Sequence, residues 1–162
     1  MPIQVGEKMP AGSFTVMTES GPGPMSTDEL FAGKKVVLFS VPGAFTPTCS
    51  RDHLPGFVDK ADELAGKGVD TVACMAVNDV FVMHAWGLDR GVGDKILMLA
   101  DGNGDYAKAL DLELDATGAG LGIRGQRFAL VVDDGVATHV AVESSKAKVK
   151  INPLKASKRK IR

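Results

Sequence analysis

Three short stretches of the chain are built around apolar runs: "KKVVLFSV" (Lys34–Val41), "VDTVACMAV" (Val69–Val77) and "KILMLAD" (Lys95–Asp101). Continuous apolar runs of this length, rich in Val, Leu and Ile, predict strands buried on both faces. Between the first two lies "SRDHLPGFVDKADELAGKG". Here Leu54, Phe57, Val58, Ala61 and Leu64 recur at helical spacing, and Gly66 and Gly68 end the pattern. Pro55, inside that pattern, is expected to kink the helix or delay its regular start. A second helix is predicted over "DVFVMHAWGLDRG", with Asn78 or Asp79 as its cap, and a third over "GNGDYAKALDLEL". The last apolar pair, in "RFALVVDDGVATHVAVE", reads as a hairpin turning at Asp134-Gly135. Ahead of all these, "SFTVMT" alternates like an edge strand, "SGPGP" reads as a turn or short loop, and "STDELF" as one capped helical turn.

The order β-α-β-α-β-α-β-β predicts an α/β domain. Its front favours a right-handed crossover joining parallel strands, and its end adds antiparallel ones. A mixed central sheet flanked by helices follows, preceded by an N-terminal extension. A thioredoxin-like sheet fits this order, and so does a small flavodoxin-like one.

With 162 residues the chain has the size of one domain, and residues 1–143 are read as that single domain. No apolar run approaches the ~18 residues of a membrane span. The start lacks the charged and apolar regions of a secretory signal. Two cysteines make no disulfide framework and suit a reducing, cytoplasmic setting. The net charge of −1 conceals an asymmetry. Residues 144–162 carry eight basic groups and no acidic one, which leaves 11 basic against 20 acidic in residues 1–143, a net of −9. The tail "SSKAKVKINPLKASKRKIR" has three open readings: a solvated end, a tether to nucleic acid or another anionic surface, or a divergent replacement for a helix. Nucleic acid is not among the expected partners of the domain itself.

The chemistry concentrates at "VPGAFTPTCSRDHLPGF" (Val41–Phe57). Cys49 follows the C-terminal end of a predicted central strand and precedes a helix, where open α/β sheets place their ligand sites. A helix N-terminus favours a thiolate over a thiol, lowering a pKa that is ~8.5 for an ordinary cysteine. Pro42 and Pro47 stiffen the approach, and Thr46 places a hydroxyl three residues before the sulfur. A cysteine is more often a small buried apolar residue. The neighbours of Cys49 are Pro, Thr, Ser, Arg and Asp, which turns the reading towards reactivity. Cys74 lies inside an apolar strand pattern and reads as a buried thiol. It could resolve an oxidised Cys49 only if the two Cα atoms come within ~7 Å.

"PGAFTPTC" (Pro42–Cys49) resembles the P-x-x-x-T-x-x-C loop of peroxiredoxins, and the longer run resembles the type II, or peroxiredoxin-5-like, subfamily. "VNDVFVMHAWG" (Val77–Gly87), "ILMLADGNG" (Ile96–Gly104) and "RFALVVDDG" (Arg127–Gly135) resemble that subfamily in the same order, so the likeness covers roughly residues 3–143. The resemblance implies a thioredoxin fold and a thiol peroxidase acting on hydrogen peroxide and alkyl hydroperoxides. Cys49 would be the peroxidatic cysteine, passing through a sulfenic acid. Thr46 would hold the peroxide and thiolate, Pro42 would shield the thiolate, and Arg127 would stabilise the negative charge. No cysteine follows Cys74, so a C-terminal resolving thiol is excluded, and glutathione, glutaredoxin or thioredoxin is expected as reductant. A homodimer, with Phe45 at its surface, is also implied, as is a role in antioxidant defence. The basic tail departs from the subfamily. A second possibility is a redox sensor or binding module of the same fold, with the tail as tether.

Other candidates carry less. His53 lies one helical turn after Cys49, so a Cys-His pair is conceivable. His84 and His139 lack metal-ligand spacing, and no cofactor or metal is expected. "ADGNGD" (Ala100–Asp105) lacks the calcium-loop pattern and reads as a strand-to-helix loop. "GAGLGIRG" (Gly118–Gly125) is not placed as a dinucleotide fingerprint and reads as a flexible loop bearing site arginines. Arg124 there is the alternative to Arg127, or else a solvated loop charge. Phe81 and Trp86 read as core residues.

Overall fold

A computed structural model describes residues 1–47 and 54–143. The expectations for Cys49, His53 and the basic tail fall on residues outside these. Among the described residues, nine strands form two sheets: β1 (Ser13–Thr18), β2 (Gly21–Ser26), β3 (Lys35–Ser40), β4 (Thr71–Ala76), β5 (Leu97–Ala100), β6 (Glu113–Asp115), β7 (Ile123–Gly125), β8 (Phe128–Asp133) and β9 (Val136–Val142). Helices are α1 (Thr27–Phe31), α2 (Leu54–Gly66), α3 (Val80–Asp89) and α4 (Asp105–Ala109), with a 3-10 turn at Thr117–Ala119. The main sheet has the order β2-β1-β5-β4-β3-β8-β9. Strands β3, β4 and β5 are parallel, and β1, β2, β8 and β9 join antiparallel.

The sheet is covered on both faces. Val37, Phe39, Cys74 and Val131 pack under α2 and α3, whose Leu54, Phe57, Met83 and Trp86 are buried. Val36, Leu38, Met75 and Leu130 face α1, α4 and the N-terminal segment. Because β3 is buried on both sides, its sequence shows no alternation. Phe39 stacks on Phe57 with ring centroids 3.8 Å apart, fixing α2 against the sheet.

Local signals explain most boundaries. Ser26 and Glu29 form a reciprocal capping box at α1. Asp79, not Asn78, caps α3 by accepting from the Val82 N–H at 2.9 Å. The β8–β9 turn has positive φ at both Asp134 (47°) and Gly135 (81°), the combination of a type I′ hairpin.

Four expectations are corrected. "SGPGP" is not a loop, because Gly21–Ser26 is strand β2. β2 is the sheet edge, and Pro22 and Pro24 are two residues apart, so the donors they lack face outward rather than towards β1. It follows that β1 is not an edge strand, since it lies between β2 and β5. The third helical stretch stops at Ala109, and Glu113–Asp115 becomes β6, paired with β7. "GAGLGIRG" is therefore partly ordered as a 3-10 turn and a strand.

Asp101, at the end of β5, is buried and accepts the N–H groups of Tyr106 and Ala107 at 3.0 and 2.9 Å. Burial raises its pKa above the ordinary 3.8, outweighing the lowering effect of those two hydrogen bonds. A raised folded-state pKa means that the fold binds this proton more tightly than the unfolded chain does. The stability contributed is complete below pH 3.8 and is lost as pH rises through the raised value. Denaturant titrations of wild type and Asp101→Asn from pH 3 to 7 should show wild type losing ground to the variant over that interval. A pH-independent difference would contradict this.

Candidate active site

Strand β3 ends at Ser40, and the chain then makes a tight turn over Pro42–Thr46. Five hydrogen bonds hold it. The Val41 N–H donates to the Met75 carbonyl at 3.2 Å, carrying the β3–β4 register one residue further. The Ala44 N–H donates to Asn78 Oδ1 at 2.9 Å. The Thr46 N–H and hydroxyl both reach the Gly43 carbonyl, at 3.4 and 2.7 Å. Arg124 donates towards the Pro42 carbonyl at 3.5 Å and more firmly to the Leu121 carbonyl at 2.8 Å.

The turn carries local strain. Phe45 has φ of 63° at the third turn position, where positive φ normally calls for glycine. A bulky residue held there costs about 1–3 kcal/mol, sustained by its surroundings. Its ring, 49% exposed, lies 6.5 Å from that of buried Trp86. Gly43 lies where a side chain would be tight. A Cβ there would sit 3.0 Å from Thr46 Cγ2 and 3.3 Å from Arg124 NH1.

The geometry refines what Thr46 offers. A carbonyl only accepts, so the Thr46 hydroxyl proton is committed to Gly43. Its lone pairs face any third group as acceptors, suited to the O–H of a hydroperoxide. Donation to a thiolate would require rotation away from Gly43.

Both arginines are placed by sequence-distant elements. Arg124 sits in the β6–β7 ribbon opposite Leu114 and touches the Pro42 turn, so it is more than a solvated loop charge. Arg127 stands just before β8. It is 7% exposed and ion-paired through Nε with Glu143 Oε2 at 3.5 Å. Cys74 is completely buried on the face of the sheet that α2 covers, as its apolar surroundings predicted. Trp86 is core, whereas Phe81 is 64% exposed and not the core residue its pattern suggested. His84 is exposed on α3.

Asn78, which holds the turn, and Glu143, which holds Arg127, are not marked as site residues by the sequence. Asn78 was weighed only as a helix cap, and the adjacent "ND" pair after β4 is the signal that could have shown one residue capping and the other bridging. Glu143 had no local signal, because its partner is set by the β8–β9 register.

Comparisons with known proteins show the family. The family model for Redoxin matches residues 4–157. Peroxiredoxin-2B of Arabidopsis thaliana is 50% identical over 144 residues, covering 88% of this chain and 89% of the relative. The chloroplastic Peroxiredoxin-2E of Arabidopsis thaliana is 47% identical over 150 residues, covering 90% of this chain but 64% of the relative. The structure of reduced Prx3 from Vibrio vulnificus in complex with H2O2 superposes with a TM-score of 0.91 at 47% identity, over 96% of this chain and 98% of that one. Peroxiredoxin 5 from Alvinella pompejana gives a TM-score of 0.79 at 38% identity, over 88% and 91%. The fold is therefore the thioredoxin-like fold of these proteins, and the chain belongs to the redoxin family as a type II peroxiredoxin, a thiol-dependent peroxidase.

Proposed function

We propose that this chain reduces hydrogen peroxide and alkyl hydroperoxides through Cys49, with an external thiol as reductant. The observation that carries the reading is the strained turn at Pro42–Thr46, closed by Thr46 on Gly43 and held from outside by Asn78 and Arg124, immediately ahead of Cys49 in sequence. A rigid turn of this kind suits a site that must present fixed acceptors and donors to a small, featureless substrate.

In the proposed cycle the Cys49 thiolate attacks one peroxide oxygen. An S–O bond forms as the O–O bond breaks, and the departing oxygen takes a proton to leave as water or alcohol. Sulfur is oxidised to the sulfenic acid and the peroxide is reduced. A first external thiol then displaces water, giving a mixed disulfide, and a second releases Cys49 with formation of the donor disulfide. Glutathione with glutaredoxin, or thioredoxin, fits the donor role because Cys74 is wholly buried under α2. Thr46 accepts from the peroxide, Arg127 supplies positive charge to the developing anion, and Pro42 limits solvent access. A reducing cytoplasmic compartment and a role in peroxide defence suit this chemistry. The single-domain reading of residues 1–143 is retained, with the basic tail as an appendage.

The test is steady-state peroxide consumption by the purified full chain with glutathione and glutaredoxin, and separately with thioredoxin and its reductase. Turnover is expected with at least one system. Cys74→Ser should keep it within about twofold, the range of uncoupled positions. Oxidation that stops after one equivalent of peroxide with every donor would instead favour the redox sensor with its basic tether. Phe45, Phe81 and Leu88 expose apolar surface on the turn and α3, which supports a homodimer. The same reduced preparation should sediment as a dimer, and a monomer would remove that part of the proposal.

A further inference from the structure

Glu143 follows the end of β9, and its backbone N–H donates to the Arg127 carbonyl at 2.9 Å. The two side chains meet on the same side of this link. The carboxylate is 3% exposed, and its Oε2 lies 3.5 Å from Arg127 Nε. Among the described residues, neither carboxylate oxygen has a hydrogen-bond donor. Buried carboxylates are normally saturated with donors, and an Arg–carboxylate pair built for its own stability is usually bidentate. This pair is neither, so it is poorly suited to a purely stabilising role. It is well suited to restraining a guanidinium whose orientation matters for another partner. Holding one edge of a rigid planar fork sets the direction of the other.

We propose that Glu143 is a positioning residue for the thiol peroxidase reaction, holding Arg127 in the orientation in which its charge acts on Cys49. This rests on Arg127 being the site arginine. Two opposed effects follow from neutralising Glu143. Loss of a countercharge alone would strengthen the cationic field and make Cys49 more acidic. Loss of the anchor would let the guanidinium leave its orientation, making Cys49 less acidic and its attack slower. The positioning role requires the second effect to dominate.

The experiment measures, in the full chain, the second-order rate of Cys49 oxidation by hydrogen peroxide and the pH dependence of Cys49 alkylation by iodoacetamide. Cys74→Ser serves as background, so that a single thiol reports. Glu143→Gln, nearly isosteric, should lower the peroxide rate about tenfold, as expected for sub-ångström misplacement of a reacting group. It should also shift the alkylation profile to higher pH, while alkylation at high pH is unchanged. Glu143→Asp keeps the charge but withdraws it by one methylene, and should lose about threefold. In an Arg127→Gln background, Glu143→Gln should have no further effect.

Folded variants with rates within twofold of wild type, or a profile shifted to lower pH, would overturn the proposal. Should Glu143→Gln fail to fold, the Glu143→Asp rate decides by the same twofold criterion. Arg127→Gln separates the two levels. If it leaves the rate unchanged, the assignment of Arg127 itself fails. If it slows the reaction while Glu143→Gln does not, only the positioning role fails.

Discussion

Cys49→Ser should abolish peroxide turnover, with a loss of at least about a thousandfold, as for removal of other catalytic nucleophiles. Serine has nearly the same size, so the fold should survive the change. What disappears is a group that ionises near neutral pH. An ordinary thiol titrates near ~8.5 and is already a few per cent thiolate at pH 7, whereas a hydroxyl is not measurably ionised there. Sulfur can also be oxidised by a peroxide and then reduced by thiols, and a serine oxygen cannot enter that cycle. The measurement is peroxide consumption beside wild type and Cys74→Ser, with circular dichroism to show that each protein is folded. Undiminished turnover by Cys49→Ser would sink the enzymatic assignment. Loss of turnover in both cysteine variants would instead make Cys74 a resolving thiol, despite its burial between β4 and α2.

The second large effect is expected at Arg127. Arg127→Gln should lower the rate of reaction with hydrogen peroxide by about 10²–10³-fold, the usual result of removing one preorganised electrostatic contact to a developing anion. Stability should fall as well. Arg127 and Glu143 are 7% and 3% exposed, and removing one member of a buried ion pair costs about 3–5 kcal/mol because the other is left uncompensated. For a chain of this size the melting temperature should then fall by roughly 10 °C. Both readouts are needed. Thermal melting reports the ion pair, and stopped-flow oxidation below the melting transition reports the reaction. A destabilised protein with wild-type kinetics would make Arg127 structural. Arg124, whose guanidinium reaches the Pro42 carbonyl, would then be the next candidate. Lysine at position 127 is not an equivalent control, because it lacks the planar fork.

Several parts of this molecule are written locally. The apolar run within Lys34–Val41 predicted a doubly buried strand, and all of Val36–Ser40 is buried. Asp134-Gly135 predicted a tight hairpin because few residues tolerate positive φ at consecutive positions. The spacing of Pro42, Thr46 and Cys49 is local too, and on it rests the proposal of a reactive turn. Failures occurred where the deciding partner lay elsewhere. Pro22 and Pro24 looked like loop formers, yet an edge strand accepts proline wherever the missing donor would face outward. Glu113–Asp115 continued a helical pattern but was recruited by Ile123–Gly125.

By itself, then, the sequence determined the order of the central strands and helices, the helix-start signals ahead of α1 and α3, and the final hairpin. All of these depend on residues within one or two turns of each other. Only the tertiary structure decided that Asn78 reaches back to Ala44, that Arg124 lies against Pro42, and that Arg127 is held by Glu143. Those contacts join residues 16 to 82 positions apart. They are fixed by sheet register and by the burial of charge, which no local pattern encodes.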